Sequence, residues 1–245
     1  LRVRGDVYLR RGEPQKALAE HEQAMSLAFL NLRPVIREGV LRALIGSNDL
    51  EKATEVARDL TNESTPELRQ TGFTGLGDIA LKQGQFDQAI KYFTEALQIT
   101  GARSTFRSLW ANEGIGKAFR AKADTRQAIQ AYMRAVDEAE ALRLLFNSDE
   151  FRSGVFGEMQ RIFGDTVSLL MEDAKVEEAW SVSERGRSRV LLDLVKAGIR
   201  SSASSAVVSD PVGKAVALAD VTERLRTDEV LVQFHVLPDR TYAWT

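Results

Sequence analysis

The sequence of 245 residues contains no cysteine and only two histidines, His21 and His235. The missing thiol excludes disulfides, zinc–thiolate sites and a cysteine nucleophile from this chain. Two imidazoles are too few for a metal site built on histidines. We therefore expect no metal, no cofactor and no catalytic residue in this chain, and we do not expect it to be an enzyme.

Charge of one sign and long apolar runs are also missing. The chain has 33 basic and 35 acidic residues, so it lacks the basic excess of a nucleic-acid binder. No apolar run approaches the ~18–20 residues of a membrane span. We expect a cytoplasmic protein with neither nucleic acid nor membrane as partner. Because the first residue is Leu1 rather than Met, we also expect the chain to be a fragment.

One spacing of residues recurs five times along the chain. Twelve positions after a start residue (+12) the residue is small. At +16 it is large in three of the five copies, and at +19 it is small or apolar. Small residues at matching positions let two helices cross closely, so the spacing predicts helical hairpins. The starts are Gly5, Leu41, Gly77, Gly116 and Val167, and the +12 residues are Ala17, Ala53, Ala89, Ala128 and Ala179.

Helix stop and start signals lie where these hairpins must turn. Gly12 with Pro14 and Asn48 with Asp49 have the residue types that end one helix and begin the next. Asp124 has the spacing of a capping box with Gln127. The wider step before the fifth start predicts two longer helices, over about 124–147 and 148–173.

The recurring pattern resembles the tetratricopeptide repeat, with its G-x2-Y and A-x3-F spacing. The resemblance implies an all-α fold, a right-handed superhelix of about five helical hairpins over residues 1–197. It also implies a concave groove lined by the first helix of each hairpin, with a protein or peptide as partner. The candidate groove residues are Arg10, Glu38, Arg42, Asp78, Lys82, Glu113, Lys117 and Arg120.

Two further patterns receive a structural interpretation. His21 occupies the large-residue position of the first hairpin, so we interpret it as a packing residue. The segment 114–117 superficially resembles a phosphate loop, but it lies within a predicted helix and lacks the remaining motif residues.

The last fifty residues have a different character. Residues 198–211 are rich in Ser and Ala and predict a linker, and a short helix is expected at about 212–226. The β-branched run 229–237 and the segment 241–244 predict a β-hairpin. Because an isolated hairpin is marginal in water, we expect its sheet partners to be missing from this chain.

This region resembles the CHAT family, caspase-like proteins that carry tetratricopeptide repeats. The resemblance rests on Glu184–Arg189 with the leucines that follow, on the helix from Leu218, and on Val230–Trp244. It implies that 212–245 begins a truncated caspase-like domain whose peptidase residues would lie beyond Thr245, and His235 does not match the family's catalytic histidine.

The resemblance implies a regulatory role. Arg185 and Arg189 share one helix face, and we expect them to dock the following domain. The expected function is a protein-interaction scaffold that controls an attached cysteine peptidase domain. The alternative is a peptide-sensing repeat domain of a bacterial signalling or transcription regulator.

Overall fold

The computed structural model of the protein describes residues 1–29, 32–99, 106–145, 149–186 and 218–245. These residues divide into two compact units, Leu1–Leu145 and Phe146–Thr245. None of the described helices is both long and apolar enough to cross a membrane. The helices of the first unit are α1 (Arg2–Arg10), α2 (Pro14–Leu27), α3 (Arg33–Gly46), α4 (Leu50–Thr61), α5 (Pro66–Lys82), α6 (Phe86–Gln98), α7 (Phe106–Ala121) and α8 (Thr125–Leu145).

The first unit is a row of four helical hairpins, α1–α2, α3–α4, α5–α6 and α7–α8. The first helices, α1, α3, α5 and α7, contact one another in that order, and each second helix contacts the first helix of the next hairpin. The first helices therefore form one continuous surface. The predicted all-α repeat of hairpins is confirmed.

The register of the repeat is visible in the core. The four alanines at +12 in this unit are completely buried: Ala17, Ala53, Ala89 and Ala128. The backbone repeats as well, since the residue at +7 of all five copies has a positive φ. These residues are Gly12, Asn48, Gly84, Ala123 and Ala174, with φ between 57° and 72°. The fifth copy, the weakest in sequence, thus turns in the same conformation as the others.

Rings at the +16 position fill the joints between hairpins. His21 lies between Gly5 of α1 and Gly39 of α3, where added Cβ atoms would come within 2.6 and 2.5 Å of its ring. Phe93 lies between Gly77 of α5 and Gly114 of α7, where the corresponding distances are 2.6 and 2.3 Å. Real Cβ atoms do not approach other atoms this closely, so the glycines allow the helices to close around each ring.

The second unit combines helices with a small sheet. Its elements are α9 (Asp149–Glu172), α10 (residues 176–186), α11 (Leu218–Thr222), β1 (Gln233–Val236) and β2 (Thr241–Trp244). The two strands pair antiparallel, with Gln233 opposite Trp244 and Val236 opposite Thr241. One face of this hairpin packs on the helices. The ring of Trp244 lies edge-on to that of Trp180, with 5.8 Å between the ring centroids, and Leu237 contacts Gly164.

Two predicted elements have a start or an end that differs from the one the sequence indicated. The first strand begins at Gln233 instead of 229, because the four residues of β2 pair only with 233–236. Residues 223–226 are not helical, and α11, which buries no side chain, lacks the packing that stabilises longer helices. The predicted linker 198–211 and the domain boundary at 197 lie outside the described residues.

Candidate functional site

The candidate groove residues all lie on the first helices, the surface where the repeat resemblance expects them. Arg10 ends α1, and the others follow on α3, α5 and α7. Those on α3 are Glu38 and Arg42, those on α5 are Asp78 and Lys82, and those on α7 are Glu113, Lys117 and Arg120.

Asp78 on α5 is the centre of this set. Burial raises the pKa of its carboxyl to about 6, and the nearby Glu113 charge adds to the rise. The positive charges of Lys117, Arg42 and Lys82 oppose the rise. Groups from α3, α5 and α7 therefore act on one carboxyl, so the fold brings five of the candidate residues into electrostatic reach of each other.

Glu113 and Lys117 form an ion pair one turn apart on α7. The distance from Lys117 Nζ to Glu113 Oε1 is 2.9 Å, and the Glu113 side chain is only 4% exposed whereas that of Lys117 is 40% exposed. Glu113 is thus buried on α7, and Lys117 is partly exposed to the solvent.

Arg107 is a contact residue that the sequence analysis missed. From α7, its Nη2 lies 2.6 Å from Glu38 Oε2 on α3, and its Nε donates a hydrogen bond to Thr71 Oγ1 on α5 at 2.6 Å. The side chain therefore spans the second, third and fourth hairpins. No local spacing predicts the ion pair, because Arg107 and Glu38 are 69 residues apart in the sequence.

Among the candidate groove residues, Arg42 and Lys82 are exposed cations that could bind a partner. Both side chains are exposed, and neither forms an ion pair with another residue in the described part of the chain. Arg10 and Arg120 are also exposed, at the ends of α1 and α7.

His21 is a packing residue between α1 and α3. Its ring is fully buried, and neither ring nitrogen has a hydrogen-bond partner. Asp6 Oδ1 is 3.6 Å from Nε2, outside hydrogen-bonding distance. Burial lowers the pKa of His21, the Arg42 and Arg2 charges lower it further, and Asp6 and Glu20 oppose the change. The ring is therefore neutral at neutral pH.

In the second unit, polar side chains attach the β-hairpin to the helices. Ser183 Oγ lies 2.8 Å from His235 Nδ1, and Gln233 Nε2 donates to Glu184 Oε1 at 2.8 Å. Both helix residues are on α10. On α9, Ser168 Oγ is 3.1 Å from the hydroxyl of Tyr242.

These contacts bear on two interpretations. Ser183 is 1% exposed and His235 is half-buried, so the hydroxyl of this pair is packed inside the second unit. Arg185, one of the two predicted docking residues, is half-buried beside Ser183 and Glu184, whereas Arg189 lies outside the described residues. The sequence analysis did not identify Ser183 and Glu184 as docking residues.

Metal ligands do not cluster in the described ranges: no group of three or more His, Cys, Asp or Glu side chains is arranged there to hold an ion.

Comparison with known proteins agrees with this architecture. Residues 69–141, which comprise most of α5 to α8, match the family model for the tetratricopeptide repeat. This segment contains repeats of that family. No curated protein is significantly similar to the chain in sequence.

Several solved structures are similar to this chain at low sequence identity. A putative kinesin light chain from Podosopora anserina with nearly identical TPR-like repeats is 17% identical over 81% of this chain and 94% of that chain, with a TM-score of 0.45. MamA (41-end) from Desulfovibrio magneticus RS-1 is 18% identical over 83% and 95%, with a TM-score of 0.41. BtubC from P. vanneervenii is 12% identical over 83% and 97%, with a TM-score of 0.36.

Proposed function

We propose that the chain is a cytoplasmic protein-interaction scaffold that binds a peptide segment of a partner along its first helices. The observation that carries this proposal is the convergence of Arg42, Lys82, Lys117 and Glu113 on Asp78 from three neighbouring helices. A continuous polar surface of this kind suits an extended peptide, and tetratricopeptide repeats generally mediate protein–protein interactions.

We further propose that the scaffold controls an attached caspase-like domain of the CHAT type. Support comes from the resemblance of Glu184–Arg189 and of the hairpin to that family. The hydrogen bonds of Ser183 and Glu184 to His235 and Gln233 add to it, because they attach the hairpin directly to α10. Partner binding would then be transmitted through α10, provided that this joint has two arrangements which the partner biases.

Peptide selection tests the binding role without assuming a partner. Random peptides displayed on phage are panned on the immobilised chain, and enriched peptides are measured by fluorescence anisotropy. We expect enriched peptides to bind the wild type and to bind the Arg42→Gln, Lys82→Gln double variant more weakly. The matched control is Arg58→Gln, Lys91→Gln, which removes an exposed arginine and an exposed lysine from the second helices α4 and α6. No enrichment, or equal loss in both double variants, contradicts the proposal.

Limited proteolysis tests the docking role of α10. Replacing Arg185 and Arg189 together by Ala is expected to loosen the joint and to raise the rate of cleavage within 199–210. Arg187→Ala is the control, because on the helix predicted from the sequence a residue two positions away points to roughly the opposite side. Equal cleavage rates in the wild type and the double variant would contradict docking by these arginines.

A further inference from the structure

Charge is distributed unequally between the two sets of helices in the first unit. Of the first helices, α1, α3 and α7 each carry three basic residues and one acidic residue, and α5 carries two of each. Of the second helices, α2 and α6 each carry one basic and two acidic residues. Helix α4 carries two basic and three acidic residues, and α8 carries three of each. The surface of the first helices is therefore basic within a chain whose net charge is −2.

The cations of the candidate groove concentrate in the C-terminal halves of the first helices. We name this set the basic strip, and it consists of Arg10, Arg42, Lys82, Lys117 and Arg120. Helix dipoles favour a cation near any helix C-terminus. The last turns follow this division only in part, because α1, α5 and α7 have a basic residue there and α2 and α6 have none, whereas α3 has none and α4 has Arg58.

We infer that the basic strip binds an acidic peptide segment, in an extended conformation that crosses α3, α5 and α7. This inference rests on the proposed binding role and specifies the chemistry of the partner. The charges that carry it are Arg42 and Lys82, which have no ion pair within the described chain, and the half-exposed Lys117.

The geometry of the repeat also predicts the spacing of the acidic residues. Packed helices lie ~8–10 Å apart, and an extended peptide rises about 3.3 Å per residue. Successive cations on neighbouring first helices are therefore matched by acidic side chains about three residues apart. A segment of roughly seven residues spans the three helices.

A peptide fits this surface better than a nucleic acid does. Glu38, Asp78 and Glu113 lie on the same helices as the cations. These acidic residues interrupt the positive charge along the helices, whereas the phosphate backbone of a nucleic acid is evenly charged. A peptide places its carboxylates opposite Arg42, Lys82 and Lys117 and uncharged residues elsewhere.

Fluorescence anisotropy with labelled peptides tests the inference. The probe is a peptide of roughly ten residues with glutamate at every third position and serine elsewhere. Three comparison probes are used: the same composition with the glutamates consecutive, the same spacing with lysine for glutamate, and a single-stranded oligonucleotide of similar length. The chain is titrated at ~0.01 M and ~0.15 M ionic strength, where the Debye lengths are about 30 and 8 Å.

The spaced acidic peptide is expected to bind more tightly than all three comparison probes and to weaken at the higher ionic strength. Exposed ion pairs contribute ~0.2–1 kcal/mol each, so Arg42→Gln, Lys82→Gln should weaken it about 2- to 30-fold. The control Arg58→Gln, Lys91→Gln should leave it unchanged. Circular dichroism of both double variants checks that the hairpins remain folded.

Three outcomes overturn the inference: tighter binding of the lysine probe or of the oligonucleotide, equal binding of the consecutive and the spaced glutamates, or equal loss in both double variants. Enriched phage peptides that depend on Arg42 and Lys82 but contain no acidic residues would overturn the acidic partner alone and leave the binding role intact.

Discussion

His21 and Phe93 occupy the same position of two hairpins, and the joints they fill differ in chemistry while they agree in geometry. Each ring lies between a glycine of its own hairpin and a glycine of the next. The side chain of Phe93 is apolar and completely buried. The side chain of His21 has two ring nitrogens, and neither has a hydrogen-bond partner.

The comparison shows that a joint between two glycines accepts either an apolar or a polar ring of similar size. A buried polar group without a partner costs ~1–3 kcal/mol, so we expect the joint at His21 to be the weaker of the two. It also responds to acid in a way that the joint at Phe93 does not, because only imidazole titrates near pH 6.5.

The largest expected effect is at the apolar joint. Phe93→Ala leaves a cavity between Gly77 and Gly114 and is expected to lower the free energy of unfolding by ~3–5 kcal/mol. His21→Ala should cost less, because the substitution also removes the two unpaired nitrogens. Urea denaturation followed by circular dichroism measures both values. An equal or larger loss for His21→Ala would contradict the proposed difference between the joints.

Overpacking probes the helix crossing inside the hairpins. Ala89→Leu places a branched side chain at a position with no exposed surface in the hairpin of Phe93, and it is expected to cost ~1–3 kcal/mol. Ala17→Leu makes the equivalent change in the hairpin of His21, and Ala128→Leu makes it in the fourth. Thermal melting measures all three. No loss of stability in any of them would show that the assigned register is wrong.

The substitution His21→Phe tests how the polarity of the first joint affects stability, because it makes this joint apolar like the joint at Phe93. Because the pKa of His21 is lowered from 6.5 in the folded state, the unfolded chain takes up a proton more readily. The contribution of His21 to stability is therefore retained above pH 6.5 and is lost as the pH falls below it. The variant should be ~1 kcal/mol more stable at pH 7, and its advantage should grow toward about pH 5.

Urea denaturation at several pH values measures this difference. A constant difference between wild type and His21→Phe across the range would mean that the imidazole titrates alike in the folded and unfolded states.

The smallest effect is expected at Asp78, and its sign with pH is opposite to that of His21. Its pKa is raised from 3.8 to about 6, so the folded state binds the proton more readily. The stability contributed by Asp78 therefore increases as the pH falls from about 6 to 3.8. Asp78→Asn removes this gain, so the variant should lack the rise in the free energy of unfolding between about pH 6 and pH 3.8.

Asp78→Glu is the control that keeps the carboxyl, and urea denaturation compares the three proteins. If Asp78→Asn and the wild type gain equally in stability as the pH falls, the carboxyl is not the group responsible.

Local spacing was sufficient to predict the hairpins, because the residues that define them lie within one repeat. Ala17 and Ala89 have no exposed surface, as the spacing required, and the turn before Pro14 forms at the predicted residues. The same reasoning identified His21 as a packing residue.

Features that depend on distant partners were not predictable in this way. The ion pair of Arg107 joins residues 69 positions apart, and the bond between Ser183 and His235 joins residues 52 apart. The length of β1 was misjudged for the same reason, since a strand ends where its partner strand ends and composition alone does not report that. The burial of Glu113 follows from the packing of α7 and has no signature in the sequence.

Arg107 has a consequence for how the first unit folds. In a repeat array each unit normally contacts only its neighbours, so unfolding proceeds from the ends in nearly independent steps. Arg107 joins the fourth hairpin to the second through Glu38 and to the third through Thr71. Fraying of the fourth hairpin therefore costs an interaction in the second, and these three hairpins should exchange their amide hydrogens as one cooperative block.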